Sequence, residues 1–317
     1  MRQSDVMVYL MTGFLDSGKT QFLTFTLEQD YFQIQGKTLL ILCEEGEEEY
    51  DPAILEANNT VVEVIENEED FTTDRLVAMD ILHQPERVII EYNGMWLVSN
   101  FEKMQLPKGW GVEQQITCVD GSTFQMYMAN MKSIFMDMIK NTDMVIFNRC
   151  KKEDPLPTYR RGIKVANQRA EVIFEDEEGE LGDIFQDEMP FDMNAPVIEI
   201  LPEDYGIWFV DAMDHPENYE GKTVKFKARV MKPRGMGSKF FVPGRTAMTC
   251  CADDTTFLGY VCKSAYAPKL TPGEWVEVTA KVGIEKRNEY QGEEGIVLDA
   301  EHVEQCDPLE DEMVYFN

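Results

Sequence analysis

The sequence predicts an α/β fold, a phosphate-loop nucleotide-binding domain on a mostly parallel sheet, followed by a small all-β, OB-like barrel. Three observations carry that expectation. Near-continuous apolar strand runs alternate with helical stretches through residues 1–175, as in strands covered on both faces by helices. The stretch "GFLDSGKT", Gly13 to Thr20, fits the pattern G-x-x-x-x-G-K-[ST] at every fixed position. After about Lys222, strictly alternating apolar and polar residues replace the helical pattern.

In chain order, "DVMVYLMT" is the strand that enters the loop and "TQFLTFTLEQ" the helix that leaves it. "KTLLILC" and "TVVEVI" are strands, "FTTDRLVAMDILH" is a helix, and "ERVIIE" is a further strand. Strand "VEQQITCVD", the Met-rich helix "FQMYMANMKSIFMDMIK", and strands "DMVIFN" and "AEVIF" follow. In the Met-rich helix, Phe124, Met128, Met131, Phe135 and Met138 fall at helical spacing. That is a core stripe in preference to a row of thioether ligands for a soft metal.

From Glu171 to Glu220 there is no Lys or Arg. "EDEEGELGDIFQDEMPFD" reads as an exposed acidic hinge, and "EDYGIWFVDAMDHPENY" as a short helix. "KTVKFKARV" then places Val224, Phe226, Ala228 and Val230 on one face, as "WVEVTAKV" does Val276, Val278, Ala280 and Val282. With "SKFFVPGRTAMTCC", "TTFLGYVCK" and "EGIVLDAEHVEQC" these make about five strands, the size of a small barrel. The expected division is a nucleotide-binding domain over 1–175, an acidic linker over 176–204 and the barrel over 205–317.

A chain of 317 residues, 44 % hydrophobic and 11 % aromatic, can fill the cores of two domains. Twenty-nine Lys and Arg against 59 Asp and Glu leave a net charge of -30. Such a surface repels nucleic-acid phosphates and anionic lipids, so no nucleic-acid partner is expected. It favours cations, metal ions or a basic partner, and it also keeps a protein soluble. No apolar run is long enough to cross a bilayer and the N-terminus lacks a signal-peptide layout, so no membrane insertion is expected. Seven cysteines in this length do not make a disulfide scaffold, and a reducing cytoplasm is the expected compartment.

A phosphate loop needs glycine where the backbone turns tightly, so that successive N–H groups wrap the phosphates. Gly13 and Gly18 stand there, with Phe14, Asp16, Ser17 and Gln21 contributing to the same cradle. Lys19 is placed to reach the β- and γ-phosphates and Thr20 to ligate Mg²⁺. The helix that opens near Lys19 adds its positive end. "RVIIEYNG" is an apolar strand ending in Glu91, with Gly94 three residues on. A carboxylate at that strand end can hold the water shell of the magnesium.

These segments, with "CVDGSTFQMYMANMKSIFMDMIKNTDMVIFNRC" and "VANQRAEVIF" in the same order, resemble the CobW-type GTPases, relatives of the UreG and HypB metallochaperones. The resemblance covers about residues 5–190 and implies GTP and Mg²⁺ as ligands. Glu91 and Gly94 match the family's Walker B E-x-x-G, which implies a magnesium-linked role for Glu91. "EEGEEEYD" lies where the family carries an E-N-E-F-G-E switch segment, and the match implies that Glu47 senses Mg²⁺ and the γ-phosphate. Asn148 and Arg149 match the first two positions of the guanine-reading N-K-x-D.

Two departures stand beside the matches. Lys151 occupies the place of the guanine-specifying Asp and cannot accept hydrogen bonds, and Asp154 would substitute for it only after a loop shift. The family's metal-binding C-x-C-C is missing, with Cys43 alone in its interval. A second candidate for a transition metal, Zn²⁺ first, is Cys250 with Cys251 in "AMTCCADD". Adjacent strand residues face opposite ways, so plain packing is the competing reading. His83, His215 and His302 are scattered, and the His302–Cys306 pair is incidental in a strand. The segment about 205–305 resembles the C-terminal domain of YcgQ-like proteins, which accompany a predicted membrane permease.

The expected function is a slow GTPase switch, with Lys19, Glu47 and Glu91 carrying catalysis, that regulates divalent metal handling, zinc or cobalt. Its expected partner is a protein, a membrane permease or a metal-dependent client. The alternative is a nucleotide-dependent scaffold that moves no metal.

Overall fold

The computed structural model describes residues 6–182, 189–249 and 254–315. Backbone contacts divide the chain into two compact units, Met1–Leu156 with Ala166–Ile184, and Pro157–Val165 with Phe185–Asn317.

The first unit runs β1 (Val6–Thr12), α1 (Lys19–Leu27), β2 (Thr38–Leu42), α2 (Pro52–Ala57), β3 (Thr60–Val64), α3 (Thr73–His83) and β4 (Arg87–Glu91). It continues with α4 (Val98–Lys103), β5 (Trp110–Asp120), α5 (Phe124–Ile139) and β6 (Met144–Asn148). After α6 (Leu156–Ala166), most of which falls in the second unit, come β7 (Glu171–Asp176) and β8 (Gly179–Glu180). The sheet order is β3-β2-β4-β1-β5-β6-β7-β8. Strands β3 to β7 pair in parallel, and β8 returns antiparallel to β7.

Central strands of such a sheet are buried on both faces, so they show apolar runs in place of alternation. All five residues of "RVIIE" in β4 are buried. Arg87 is tolerated there because its guanidinium donates to the Phe32 carbonyl at 2.5 Å and Thr38 Oγ1 at 2.9 Å and lies over the Phe32 ring. Helix starts follow local chemistry. Asp51 accepts from the Ala53 N–H with Pro52 behind it, and Thr72 Oγ1 accepts from the Arg75 N–H.

Two sequence expectations change here. The Met-rich stripe is broken, because α5 kinks at Met131 (φ -133°, ψ 27°). The kink rotates the second half, so the buried residues are Phe124, Phe135, Met136, Met138 and Ile139, while Met128 and Met131 are half-buried. The stretch expected as an exposed hinge begins as structure. β7 runs through Asp176 and turns back into β8, pairing Glu175 with Glu180.

The second unit holds β9 (Ile198–Glu199), α7 (Tyr205–Asp214), β10 (Thr223–Met231), β11 (Phe240–Met248) and β12 (Thr255–Gly259). Then come β13 (Val261–Lys263), β14 (Trp275–Lys286), β15 (Glu294–Gln305) and β16 (Met313–Val314). β10, β11, β13, β15 and β14 close in that order into a five-stranded barrel. Closure pairs the strand edges. The residues predicted to face inward, Val224 to Val230 and Val276 to Val282 in alternation, are all buried. From α7, Trp208 is buried with its ring centroid 4.8 Å from that of Phe226.

"TTFLGYVCK" is two strands and not one. β12 pairs with β11 near Gly244, whereas β13 pairs with β15 and with the start of β11. Tyr260 at the break is buried and its hydroxyl donates to the Phe209 carbonyl at 2.5 Å. No helix among the described residues is long and apolar enough to cross a membrane.

Candidate functional site

Parallel strand register brings four chain segments to one edge of the first sheet. Met11 of β1 is level with Glu91 of β4, and Asp120 of β5 with Asn148 of β6. The loop from Gly13 to Gly18 therefore leaves a central strand between Glu91 on one side and Asp120 and Asn148 on the other. Ligands of open α/β sheets bind at such carboxyl strand ends.

The loop holds an unusual backbone. Gly18 has φ +92°, which favours glycine, and a Cβ on it would stand 2.4 Å from Asn148 Nδ2 and displace that side chain from the Ser17 carbonyl. Asp16 sits at φ +59°, strain of the sort that collects at functional sites. Lys19 opens α1 and is 3 % exposed. Its Nζ donates to the Gly13 carbonyl at 2.9 Å and the Phe14 carbonyl at 3.0 Å, and it forms an ion pair with Glu44 Oε1. A buried ammonium needs such partners, since leaving it unpaired costs several kcal/mol. Phe14 gives the site its carbonyl only, because its ring is buried and stacked on Tyr127 at 4.1 Å.

On the Walker B side, Glu91 is buried and accepts from Thr20 Oγ1 at 2.8 Å and the Tyr50 hydroxyl at 2.5 Å. Burial, then the Glu91 carboxylate, push the Tyr50 phenol well above its ordinary range, which keeps it a proton donor. Gly94 is glycine by close approach. A Cβ there would lie 2.5 Å from the Gly13 carbonyl oxygen and 2.7 Å from Phe14 Cα. Its N–H donates to Glu44 Oε2 at 3.2 Å. Glu47 is exposed at the cleft, and its N–H reaches Asp16 Oδ1 at 3.4 Å.

On the opposite side, Asn148 Nδ2 donates to the Ser17 carbonyl at 2.7 Å. Arg149, at φ +52°, donates from Nη1 to the Asp16 carbonyl at 2.9 Å and to Asp120 Oδ2 at 2.7 Å. Burial pushes the Asp120 carboxyl up, but hydrogen bonds from Ser122 and Arg149 outweigh it and hold it below the usual carboxylate range. Asp154 is engaged in its own turn, accepting from the Lys151 N–H at 2.7 Å.

A cleft of about 360 Å³ lies between these groups, with Asp16, Lys19, Thr20, Gln21, Glu47 and Glu91 on its walls. That is within the range of small-ligand sites. The residues fit a nucleotide with magnesium. Lys19 is held by loop carbonyls, the Thr20–Glu91 pair faces the same cleft, and the Ser17 hydroxyl is buried with no partner.

The sequence reading missed Glu44 and Tyr50. Both lie in the "EEGEEEYD" segment matched to the family's switch, but Glu44 is one of several adjacent acids with no spacing to mark it out, and nothing in the pattern singles out Tyr50. A transition-metal site is a different matter. Cys250 and Cys251 lie outside the described residues. Among the described residues no group of three or more His, Cys, Asp and Glu is placed to hold a metal ion. Cys43 and Cys262 are buried, and burial pushes both thiols up, away from the thiolate a metal needs.

Residues 7–174 match the family model of the CobW/HypB/UreG nucleotide-binding domain, and residues 180–316 match the DUF1980 C-terminal domain. No curated protein matches the chain. Among solved structures, the Zn(II)-bound YjiA GTPase from E. coli is 17 % identical with a TM-score of 0.43, over 80 % of this chain and 88 % of that one. The hydrogenase maturation factor HypB from Archaeoglobus fulgidus is 14 % identical with a TM-score of 0.36, over 56 % of this chain and 84 % of that one. The mitochondrial single-stranded DNA binding protein Rim1 from S. cerevisiae is 10 % identical with a TM-score of 0.18, over 28 % of this chain and 97 % of that one. Likenesses this distant add nothing to the family match. By its residues 7–174, more than half its length, and by the loop and strand ends that they bring together, the chain belongs to the CobW/HypB/UreG family of P-loop GTPases.

Proposed function

We propose that the protein is a slow GTP-binding and GTP-hydrolysing switch that acts with a partner protein in handling a divalent metal, zinc or cobalt. The observation that carries the nucleotide reading is the Lys19 ammonium cradled by the Gly13 and Phe14 carbonyls beside the Thr20–Glu91 pair. Thr20 and Glu91 would hold Mg²⁺, whose charge when bound offsets that of the phosphate oxygens. Lys19 and the loop N–H groups, with Gln21 at the mouth, bind and orient the phosphates. Glu47 and Gly94 border the γ-phosphate end, and Glu47 belongs to the segment that would order around it. Asn148 and Arg149 brace the loop from the base side.

Guanine over adenine rests on family membership and on Asn148 with Arg149, since Lys151 supplies no acceptor for the guanine edge. Family and the net charge of -30 support the metal role, and we assign recognition of the partner, a permease or a metal-dependent client, to the barrel. The alternative is a nucleotide-dependent scaffold that moves no metal.

The nucleotide reading is tested with a panel of triphosphates on wild type and Lys19→Ala. GTP should bind best, and the variant should lose roughly 10- to 100-fold in affinity, the worth of a charge-assisted hydrogen bond. Better binding of ATP would remove the guanine assignment, and unchanged binding by the variant would remove the phosphate-loop assignment. Equilibrium dialysis with Zn²⁺ and Co²⁺, with and without a non-hydrolysable GTP analogue, separates metal handling from scaffolding. Absence of micromolar binding in both states leaves the scaffold.

A further inference from the structure

Glu44 has no part in the function proposed so far, yet both of its carboxylate oxygens are engaged at the cleft. It follows β2 by two residues, and its side chain is 9 % exposed. One carboxylate oxygen pairs with the Lys19 ammonium and the other accepts the Gly94 N–H at 3.2 Å. Lys19 and Gly94 come from different segments, Lys19 lining the cleft and Gly94 packed against the Gly13 and Phe14 backbone of the phosphate loop. A carboxylate that spans an ammonium and a backbone N–H presents what a phosphate oxygen pair presents there, an anionic acceptor to each donor.

We propose that Glu44 is an internal stand-in for the terminal phosphate, and that it sets the preference of the site between triphosphate and diphosphate. This rests on the nucleotide reading above. A nucleoside triphosphate must displace the carboxylate from Lys19 and Gly94 before its last phosphate can take them. A diphosphate reaches Lys19 with its β-phosphate alone and leaves the Gly94 N–H to Glu44, which stays in place. The displaced residue does not move alone. It begins the segment that carries Glu47, whose N–H reaches Asp16, and Tyr50, whose hydroxyl is bonded to Glu91. Arrival of a third phosphate is thereby linked to the contacts of the magnesium-side carboxylate. A counter-ion that merely neutralised Lys19 would have no reason to engage Gly94 as well.

The test uses the full chain, with affinities of a non-hydrolysable GTP analogue and of GDP measured in the presence of Mg²⁺. Glu44→Gln keeps the size of the side chain and removes its charge. Its triphosphate-to-diphosphate preference should rise by roughly 10-fold, the worth of one charge-assisted bond, with GDP affinity altered by less than about threefold. Glu44→Asp keeps the charge but is one methylene too short to span both donors, and its preference should rise by a smaller factor. This second variant keeps the test open should the first fold poorly. Equal change in both affinities, or an unchanged preference, overturns the proposal while leaving the nucleotide site intact. Failure of wild type to bind either nucleotide overturns both together.

Discussion

In the phosphate-loop unit, Lys19 pairs with Glu44, Glu91 accepts from Thr20 and Tyr50, and all three charged groups border an open cleft. In the barrel unit, the buried guanidinium of Arg245 donates to the carbonyls of Pro202, Asp311 and Met313 and lies over the Tyr205 ring. Tyr205 and Tyr260 are held the same way, donating to the carbonyls of Leu258 at 3.0 Å and Phe209, whereas Tyr219 donates to the Asp211 carboxylate at 2.6 Å. The difference teaches which polar groups are free to work. A side chain paired with a side chain at a cleft wall can exchange partners when a ligand arrives. One tied to carbonyls inside a closed barrel cannot leave without opening the fold. Asp16 and Arg149 adopt positive φ at the cleft itself.

The largest expected effect breaks the barrel side of this comparison. Trp208 is 1 % exposed in the core of the second unit, so Trp208→Ala should cost about 3–5 kcal/mol of stability through the cavity it leaves. Nucleotide affinity should change by less than about twofold where the protein remains folded, because no cleft residue is touched. Denaturant unfolding and nucleotide titration of the same samples check both halves. A parallel fall in affinity would show that the two regions do not divide the work as drawn.

Legibility in the sequence follows the same line. Gly13 to Thr20, Glu91, Gly94 and Asn148 stood out because their chemistry demands fixed residue types at fixed spacing. The inward faces of β10 and β14 stood out because period-two alternation is a direct image of the pleat. Glu44 stayed hidden, since its partners come from residues far along the chain and its neighbours are equally acidic. The kink at Met131 left no mark in a sequence with sound helical spacing, since no Pro or Gly stands there. The break of β12 from β13 did leave a trace, in Gly259. A Cβ there would lie 2.7 Å from the Pro243 carbonyl oxygen, and a lone glycine in a strand pattern marks such approaches.

Gly94→Ala should come next in size. The added Cβ must push the phosphate loop at Gly13 and Phe14, which are backbone and cannot rotate away. Overpacking of this kind costs about 1–3 kcal/mol, and here it should fall on ligand binding as well as on stability. Isothermal titration should show affinity reduced by roughly 10-fold or more, the equivalent of about 1.4 kcal/mol. Affinity at the wild-type level would mean that the loop and the Walker B turn are not held as one body.

A smaller effect is expected from Tyr50→Phe, which removes one donor from Glu91 and leaves the ring in place. A single hydrogen bond to a charged group contributes about 1.5–3 kcal/mol, and the remaining Thr20 contact should reduce the loss. The signature is a change in the Mg²⁺ concentration needed for nucleotide binding, with little change in the barrel's unfolding. Unaltered Mg²⁺ dependence would remove Tyr50 from the site.

The smallest effect is a dependence on pH carried by Asp120 and Arg149. The Asp120 carboxyl titrates below its ordinary value in the folded protein, because the bonds from Ser122 and Arg149 outweigh burial. The unfolded-state value is about 3.9. A depressed folded-state value means that the native protein holds the proton less readily than the unfolded chain. The stabilisation is therefore present above about pH 4 and is lost as pH falls through the lower folded-state value. Arg149 is 46 % exposed, so solvent screening keeps the pair below about 1 kcal/mol. Asp120→Asn should flatten the acid limb of the stability curve by that amount and leave the curve near neutral pH parallel to wild type. Because Arg149 also braces the Asp16 carbonyl, the variant should loosen nucleotide binding more than it loosens the fold. Equal losses in binding and stability would place Asp120 with the barrel's fixed polar groups and not with those that answer to a ligand.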